Sequence, residues 1–191
     1  MPLLVTPVIA ADSIGAQDQP TLPLGDGPVL RPWLPDDAEA VAAAHEDPLI
    51  QRWHARRADS VAEAAGWVAG WQADWAAERG LHWAIAEGGT LLGRLSLKDL
   101  DLIDGTAEVA YWMTPAARGR GVCPRAVRTL TAWALDEAGF HRLTLLHSTA
   151  NTASCRVAEK AAFALEGTLR SAALHADGHH DMHLHAHVRG D

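Results

Sequence analysis

The sequence predicts an α+β protein with α/β/α layering: a mixed, mostly antiparallel six- to seven-stranded sheet with helices on both faces and a parallel pair near its centre. Three observations predict it. Between residues 83 and 113, three strand-length runs are joined by short turns, the pattern of an antiparallel meander. After residue 121 a helical run, a strand and a second helical run follow, and a strand–helix–strand crossover favours parallel pairing. Before residue 80, Trp67, Trp71 and Trp75 recur every four residues, which lays them along one helix face.

Residues 1–24 turn rich in Pro, Gly, Gln and Asp after Ala11 and are expected to form a flexible N-terminal extension outside the core. Residues 25–191 form the domain. A first strand spans 29–33, with Pro32 marking an edge or an early end. Pro35, Asp36 and Asp37 suit the first turn of a helix reaching about His45. Asp47-Pro48 breaks it, and a short helical turn follows to Trp53. Ser60 and Glu63 make a capping-box pattern, and the helix they open ends at Arg79-Gly80. The tryptophan stripe is expected to be mainly core, with Trp71 a candidate for the substrate groove. Strands follow at 83–86 and 91–97, joined by the hairpin turn Glu87-Gly88-Gly89-Thr90. A turn at 101–105 leads to a strand over 106–113. Helices over 122–137 and 151–160 enclose a strand over 142–147. The tail, 165–188, reads as two strands around Asp177-Gly178.

Charge and cysteine content narrow the functions. The net charge is −8, and the positive side chains are fourteen Arg and two Lys. Such a chain is a poor binder of nucleic acid or anionic membrane, and its acidity suits a cationic or amine substrate. Cys123 and Cys155 form neither a closely spaced metal pair nor a disulfide framework, which fits a reducing cytoplasm. The apolar start, 1–11, lacks a basic n-region, and no run reaches the roughly 18 apolar residues of a membrane helix.

The stretch Arg118-Gly119-Arg120-Gly121-Val122-Cys123 stands between a strand and a helix. The first turn of a helix leaves N–H groups without partners at the positive end of its dipole. Two glycines allow close approach of an oxygen-rich ligand, and two arginines add forked donors. A phosphate or pyrophosphate suits this turn, which is neither a P-loop nor a dinucleotide fingerprint.

With its surroundings, this stretch resembles the GNAT acyltransferases, in particular the RimJ/RimL-like ribosomal-protein N-terminal acetyltransferases. Four landmarks carry the resemblance over residues 27–188: Leu30-Arg31-Pro32-Trp33 with Asp36-Asp37; the strand Ala107-Glu108-Val109-Ala110-Tyr111-Trp112-Met113; the Arg/Gly turn; and Asn151-Thr152-Ala153-Ser154 followed by Val157 to Phe163. The resemblance implies acetyl transfer from acetyl-CoA to a primary amine, either a protein or peptide N-terminus or a small-molecule amine such as an antibiotic. It implies a splayed central pair with pantetheine lying in the gap along Met113, Thr114 and Pro115, diphosphate on the N–H groups of 119–123, and Asn151 contacting pantetheine. Glu108 matches the family's strand glutamate and is the candidate base, acting through water, since an amine must be neutral to attack. Ala158 stands where many members have a tyrosine acid, so Ser154 is the candidate partner of the departing thiolate. Pro124 replaces a common Ser or Thr and brings no N–H to the phosphate site. Trp112 and His147 join Trp71 as candidate acceptor contacts. A catalytically silent acyl-CoA-binding module is the alternative function, and monomer and homodimer are both open.

Six of the eleven histidines fall within 175–187. His183, His185 and His187 alternate on one strand face, but neighbours on such a face are about 7 Å apart, too far for easy tridentate ligation. The expectation is therefore no metal.

Overall fold

The computed structural model describes residues 4–191; the part of the predicted extension on residues 1–3 lies outside the described residues. Eight strands form one sheet: β1 Leu22–Pro23, β2 Val29–Arg31, β3 Leu81–Glu87, β4 Thr90–Asp101, β5 Thr106–Met113, β6 Arg142–Ser148, β7 Ala164–His175 and β8 Gly178–Val188. The five α-helices among the described residues are α1 Ala38–Ala44, α2 Pro48–Trp53, α3 Val61–Ala76, α4 Val122–Asp136 and α5 Thr152–Lys160. The strand order is β1-β2-β3-β4-β5-β6-β8-β7. Every neighbouring pair is antiparallel except β5–β6. No helix among the described residues is long and apolar enough to cross a membrane.

Local chemistry explains the boundaries. Asp47 caps α2 by accepting from the N–H groups of Leu49 and Ile50, and Pro48 occupies its first turn. Ser60 Oγ caps α3 through the Glu63 N–H, and the Glu63 carboxylate returns to Asp59 N. Gly88 and Gly89 both take positive φ, so the β3–β4 hairpin turns tightly. β3 is buried along nearly its whole length, as its mostly apolar Leu81-to-Ala86 run, interrupted only by His82, implies for a strand covered on both faces.

Two apolar layers sandwich the sheet. One joins Trp83, Ile85, Leu95 and Val109 to α4 and α5. The other joins Trp33, Ala84 and Trp112 to α1, α2 and α3. Most of the tryptophan stripe packs: Trp75 stands edge-on to Trp83 at 5.5 Å, and Trp71 lies against Trp33 at 4.6 Å.

The N-terminal segment corrects an expectation. Residues 8–24 are not an arm outside the core. Ile9, Ile14 and Leu24 are each 4% exposed, and the N–H groups of Val8 and Ile9 donate to Ile103 and Leu102. The Glu78 carboxylate accepts from Asp12, Ile14 and Gly15 N–H. The indoles of Trp75 and Trp83 donate to the carbonyls of Gln17 and Pro20. The physical cause is the Trp75–Trp83–Trp133 cluster, whose large apolar faces would otherwise meet water at this end of the sheet. The same segment contributes β1, which takes the sheet to eight strands rather than six or seven.

The parallel pair opens partway along. Thr106, Ala107 and Glu108 pair with Arg142, Leu143 and Thr144, and no later residues of the two strands pair. The remaining length of β5 therefore diverges from β6 and leaves a gap in the middle of the sheet.

Candidate functional site

A cleft of about 410 Å³ occupies this gap. Its walls are the end of β5, the turn into α4, one side of α5 from Asn151 to Lys160, and α2 with His54.

The Arg/Gly turn forms one end. Gly119 and Gly121 have φ of 75° and 71°, a region that side chains with a Cβ enter at a cost. A Cβ at either position would meet nothing within 4 Å, so glycine is required here by backbone conformation, and the turn stays open toward the cleft. Gly121 is the N-cap of α4, which places Val122 and Cys123 N–H groups in the first turn with no acceptor further back along the helix. Pro124 follows and has no N–H to add. The two arginines are already engaged. Arg118 grips Asp47, with Nη2 to Oδ1 at 2.6 Å, and holds that carboxyl below its ordinary pKa, chiefly through the hydrogen bond. Arg120 pairs with Glu87 at 2.6 Å.

The strand edge is narrower than the sequence implied. Thr114 N–H donates to Leu92 O across to β4, and Pro115 has no N–H. Strand alternation then turns the backbone of Met113 and Tyr111 the other way, into the gap. Of the predicted run 113–115, only Met113 has an N–H facing the cleft, while Thr114 and Pro115 hold the turn.

From α5, Asn151 and Ser154 both reach the cleft. Asn151 Oδ1 accepts the Ser154 N–H at 3.2 Å, capping the helix. Ala158 is fully buried. Tyr111 also lines the cleft; its hydroxyl is buried and lacks a hydrogen-bond partner among the described residues. Burial raises the phenol's pKa and the Cys123 thiol adds to this, while the Ser154 hydroxyl beside it acts in the opposite direction. The phenol therefore keeps its proton, as does the buried Cys123 thiol.

The remaining candidates divide. Trp112 lines the cleft, with its indole N–H buried and without a partner among the described residues. Trp71 does not, because it stacks with Trp33 and carries the Arg94 guanidinium 4.5 Å above its ring. His147 is buried against His185, outside the cleft. Glu108 is not a lining residue either: it sits at the last paired position of β5, where Lys98 Nζ lies 2.9 Å from Oε1. Burial alone would lower the Lys98 pKa, but Glu108 and Asp99 outweigh it and hold the ammonium charged.

Sequence reasoning missed the α2 wall. Trp53 and His54 line the cleft there, and Arg156 and Lys160 bring positive charge from α5. Burial, with His45, Arg94 and His175 nearby, lowers the His54 pKa to about 4. The Asp47-Pro48 start of α2 was visible in the sequence, but its place in the cleft wall arises from tertiary packing.

Comparison with known proteins places this geometry. Residues 29–164 match the acetyltransferase (GNAT) domain family. Over 104 residues the chain is 32% identical to YdaF of Bacillus subtilis (strain 168), a ribosomal N-acetyltransferase by provisional assignment, covering 54% of this chain and 56% of that protein. Over 98 residues it is 28% identical to the ribosomal-protein-serine acetyltransferase of Escherichia coli (strain K12), covering 51% and 55%. The chain thus spans about half the length of these curated relatives. The solved structure of RimL, a ribosomal L7/L12 α-N-protein acetyltransferase in complex with coenzyme A, superposes with a TM-score of 0.83 at 20% identity, covering 88% of this chain and 98% of that one.

Proposed function

The chain belongs to the acetyltransferase (GNAT) domain family, and from that premise we propose that it transfers the acetyl group of acetyl-CoA to a primary amine, foremost the α-amine of a protein or peptide. One observation carries this reading: the cleft opens through the β5–β6 gap, with the glycine turn and α4 at one end and Ser154 with Tyr111 beside it. The acceptor class rests on relatives named as ribosomal-protein acetyltransferases.

In this reading, the N–H groups of 119–123 bind the diphosphate at the positive end of α4. Arg156 and Lys160 add charge at the rim. Pantetheine lies along the open edge of β5, and the Met113 N–H polarises the thioester carbonyl. The neutral amine attacks the carbonyl carbon; the C–N bond forms, the C–S bond breaks, and the amine proton passes through a water to Glu108. The thiolate leaves toward Ser154 and Tyr111. Ser154 donates a hydrogen bond to sulfur, and the Tyr111 phenol, which retains its proton, is an additional donor. Trp112 and His54 border the acceptor side.

A silent acyl-CoA-binding module is the second reading. The ion pair of Glu108 with Lys98, outside the cleft lining, favours it. Release of CoA, followed with peptides of varied first residue and with small amines, separates the two. Turnover with peptide α-amines is expected, together with acetyl-CoA binding by calorimetry. Binding without turnover across the panel would select the silent module, and neither binding nor turnover would remove both.

A further inference from the structure

Behind α5, away from the cleft, four potential metal ligands converge. His147, Cys155, His183 and His185 each offer one ligand atom, and these atoms lie within 4.8 Å of one another. They come from three elements: β6, α5 and β8. His183 lies opposite His147 in the β6–β8 ladder, and His185 follows on the same face. His187, the third histidine of the alternating row, is not among them, and its Nδ1 lies 2.9 Å from the Ala162 carbonyl. The one-strand spacing that argued against a metal does not apply to this set, because a second strand and a helix complete it.

The hydrogen bonds fix the ring orientations. His147 Nδ1 lies 2.8 Å from the Ser148 carbonyl, and His185 Nδ1 lies 3.3 Å from the Phe163 carbonyl. A carbonyl only accepts, so both Nδ1 atoms carry hydrogen. The two Nε2 atoms, 3.2 Å apart and buried, then point lone pairs at each other. His183 Nδ1 is buried with no partner among the described residues. A cation resolves these conflicts together. With Zn–N at about 2.0–2.1 Å, two tetrahedral ligand nitrogens stand roughly 3.3 Å apart, close to the observed His147–His185 separation. The backbone carbonyls on Nδ1 are the outer contacts that hold a histidine's Nε2 toward a metal.

We propose that His147, His183, His185 and Cys155 bind one Zn²⁺ in a structural site that fastens α5 to the sheet. Three imidazoles and a thiolate suit a borderline-soft divalent ion and leave no open position for substrate. On binding, the metal–sulfur bond replaces the Cys155 S–H bond and the proton goes to solvent. Cys155 directly follows Ser154, so the ion would steady one wall of the cleft. The site does not depend on the acetyl-transfer reading.

The test uses untagged full-length protein purified without metal-affinity resin, stripped by chelator dialysis and titrated with Zn²⁺ or Co²⁺. Elemental analysis should give about one zinc per chain after re-dialysis. The Co²⁺ form should show tetrahedral d–d bands and a thiolate charge-transfer band. Cys155→Ala should abolish that band and weaken Zn²⁺ binding by roughly a hundredfold. His183→Ala should weaken binding similarly, and the surface control His179→Ala should not. Circular dichroism establishes that each variant is folded; if one is not, the thiolate band of the natural protein decides. Failure of the natural protein to retain zinc, absence of a thiolate band, or binding unaltered in folded Cys155→Ala overturns the proposal.

Discussion

At Gly121 a single backbone angle, φ of 71°, turns the chain into α4. Because a Cβ there would touch nothing within 4 Å, Gly121→Ala is a purely conformational change. It should cost about 1–2 kcal/mol in urea unfolding and weaken acetyl-CoA binding measured by calorimetry. Tyr111 has the opposite logic. Its buried hydroxyl has no partner among the described residues, so Tyr111→Phe should leave stability unchanged or raise it slightly. If the phenol serves the leaving thiolate, the same change should lower kcat about tenfold or more, as steady-state CoA release would show. Glu108→Gln should lower kcat by roughly a hundredfold with acetyl-CoA affinity unchanged if the carboxylate is the base. At this scale the Arg/Gly turn stood out by its composition between a strand and a helix, and Asn151 and Ser154 by their resemblance to a family motif; all three line the cleft. Tyr111 was hidden because alternation assigns its face but does not reveal where β6 diverges.

Among the elements, the meander, both crossover helices and the tail hairpin were legible, because each has turn residues and periodicity of its own. The N-terminal segment was not. Its anchors Ile9, Ile14 and Leu24 show no strand or helix periodicity, and their partners lie on α3, β3 and the β4–β5 turn. The carboxylate of Glu78 holds three of its N–H groups. Glu78→Ala should therefore destabilise the protein by about 1–3 kcal/mol and speed amide exchange at residues 12–15, a result hydrogen-exchange mass spectrometry can localise. The wall made by α2 was unreadable for a related reason: the sequence marks where that helix starts, and packing alone decides what it faces.

For the whole molecule, buried histidines set an acid limit. Burial lowers the pKa of His54 to about 4, and burial together with Arg94 does the same to His82, against the opposing pull of Asp74. The unfolded chain takes up these protons near the ordinary histidine pKa of about 6.5, so between there and 4 it binds more protons than the folded protein. Stability from these groups is thus full above about 6.5 and is lost as pH falls toward 4. Scanning calorimetry should show a level Tm from pH 8 to 6.5 and a decline on the order of several degrees by pH 4.5. The Arg118–Asp47 pair reaches across the molecule in another way, because the same carboxylate caps α2. An anion that drew the guanidinium off that carboxylate would loosen the tie between α2 and the glycine turn. In the proposed reaction this would link loading of the donor to admission of the acceptor, and any such coupling would alter the affinity of each by the same factor.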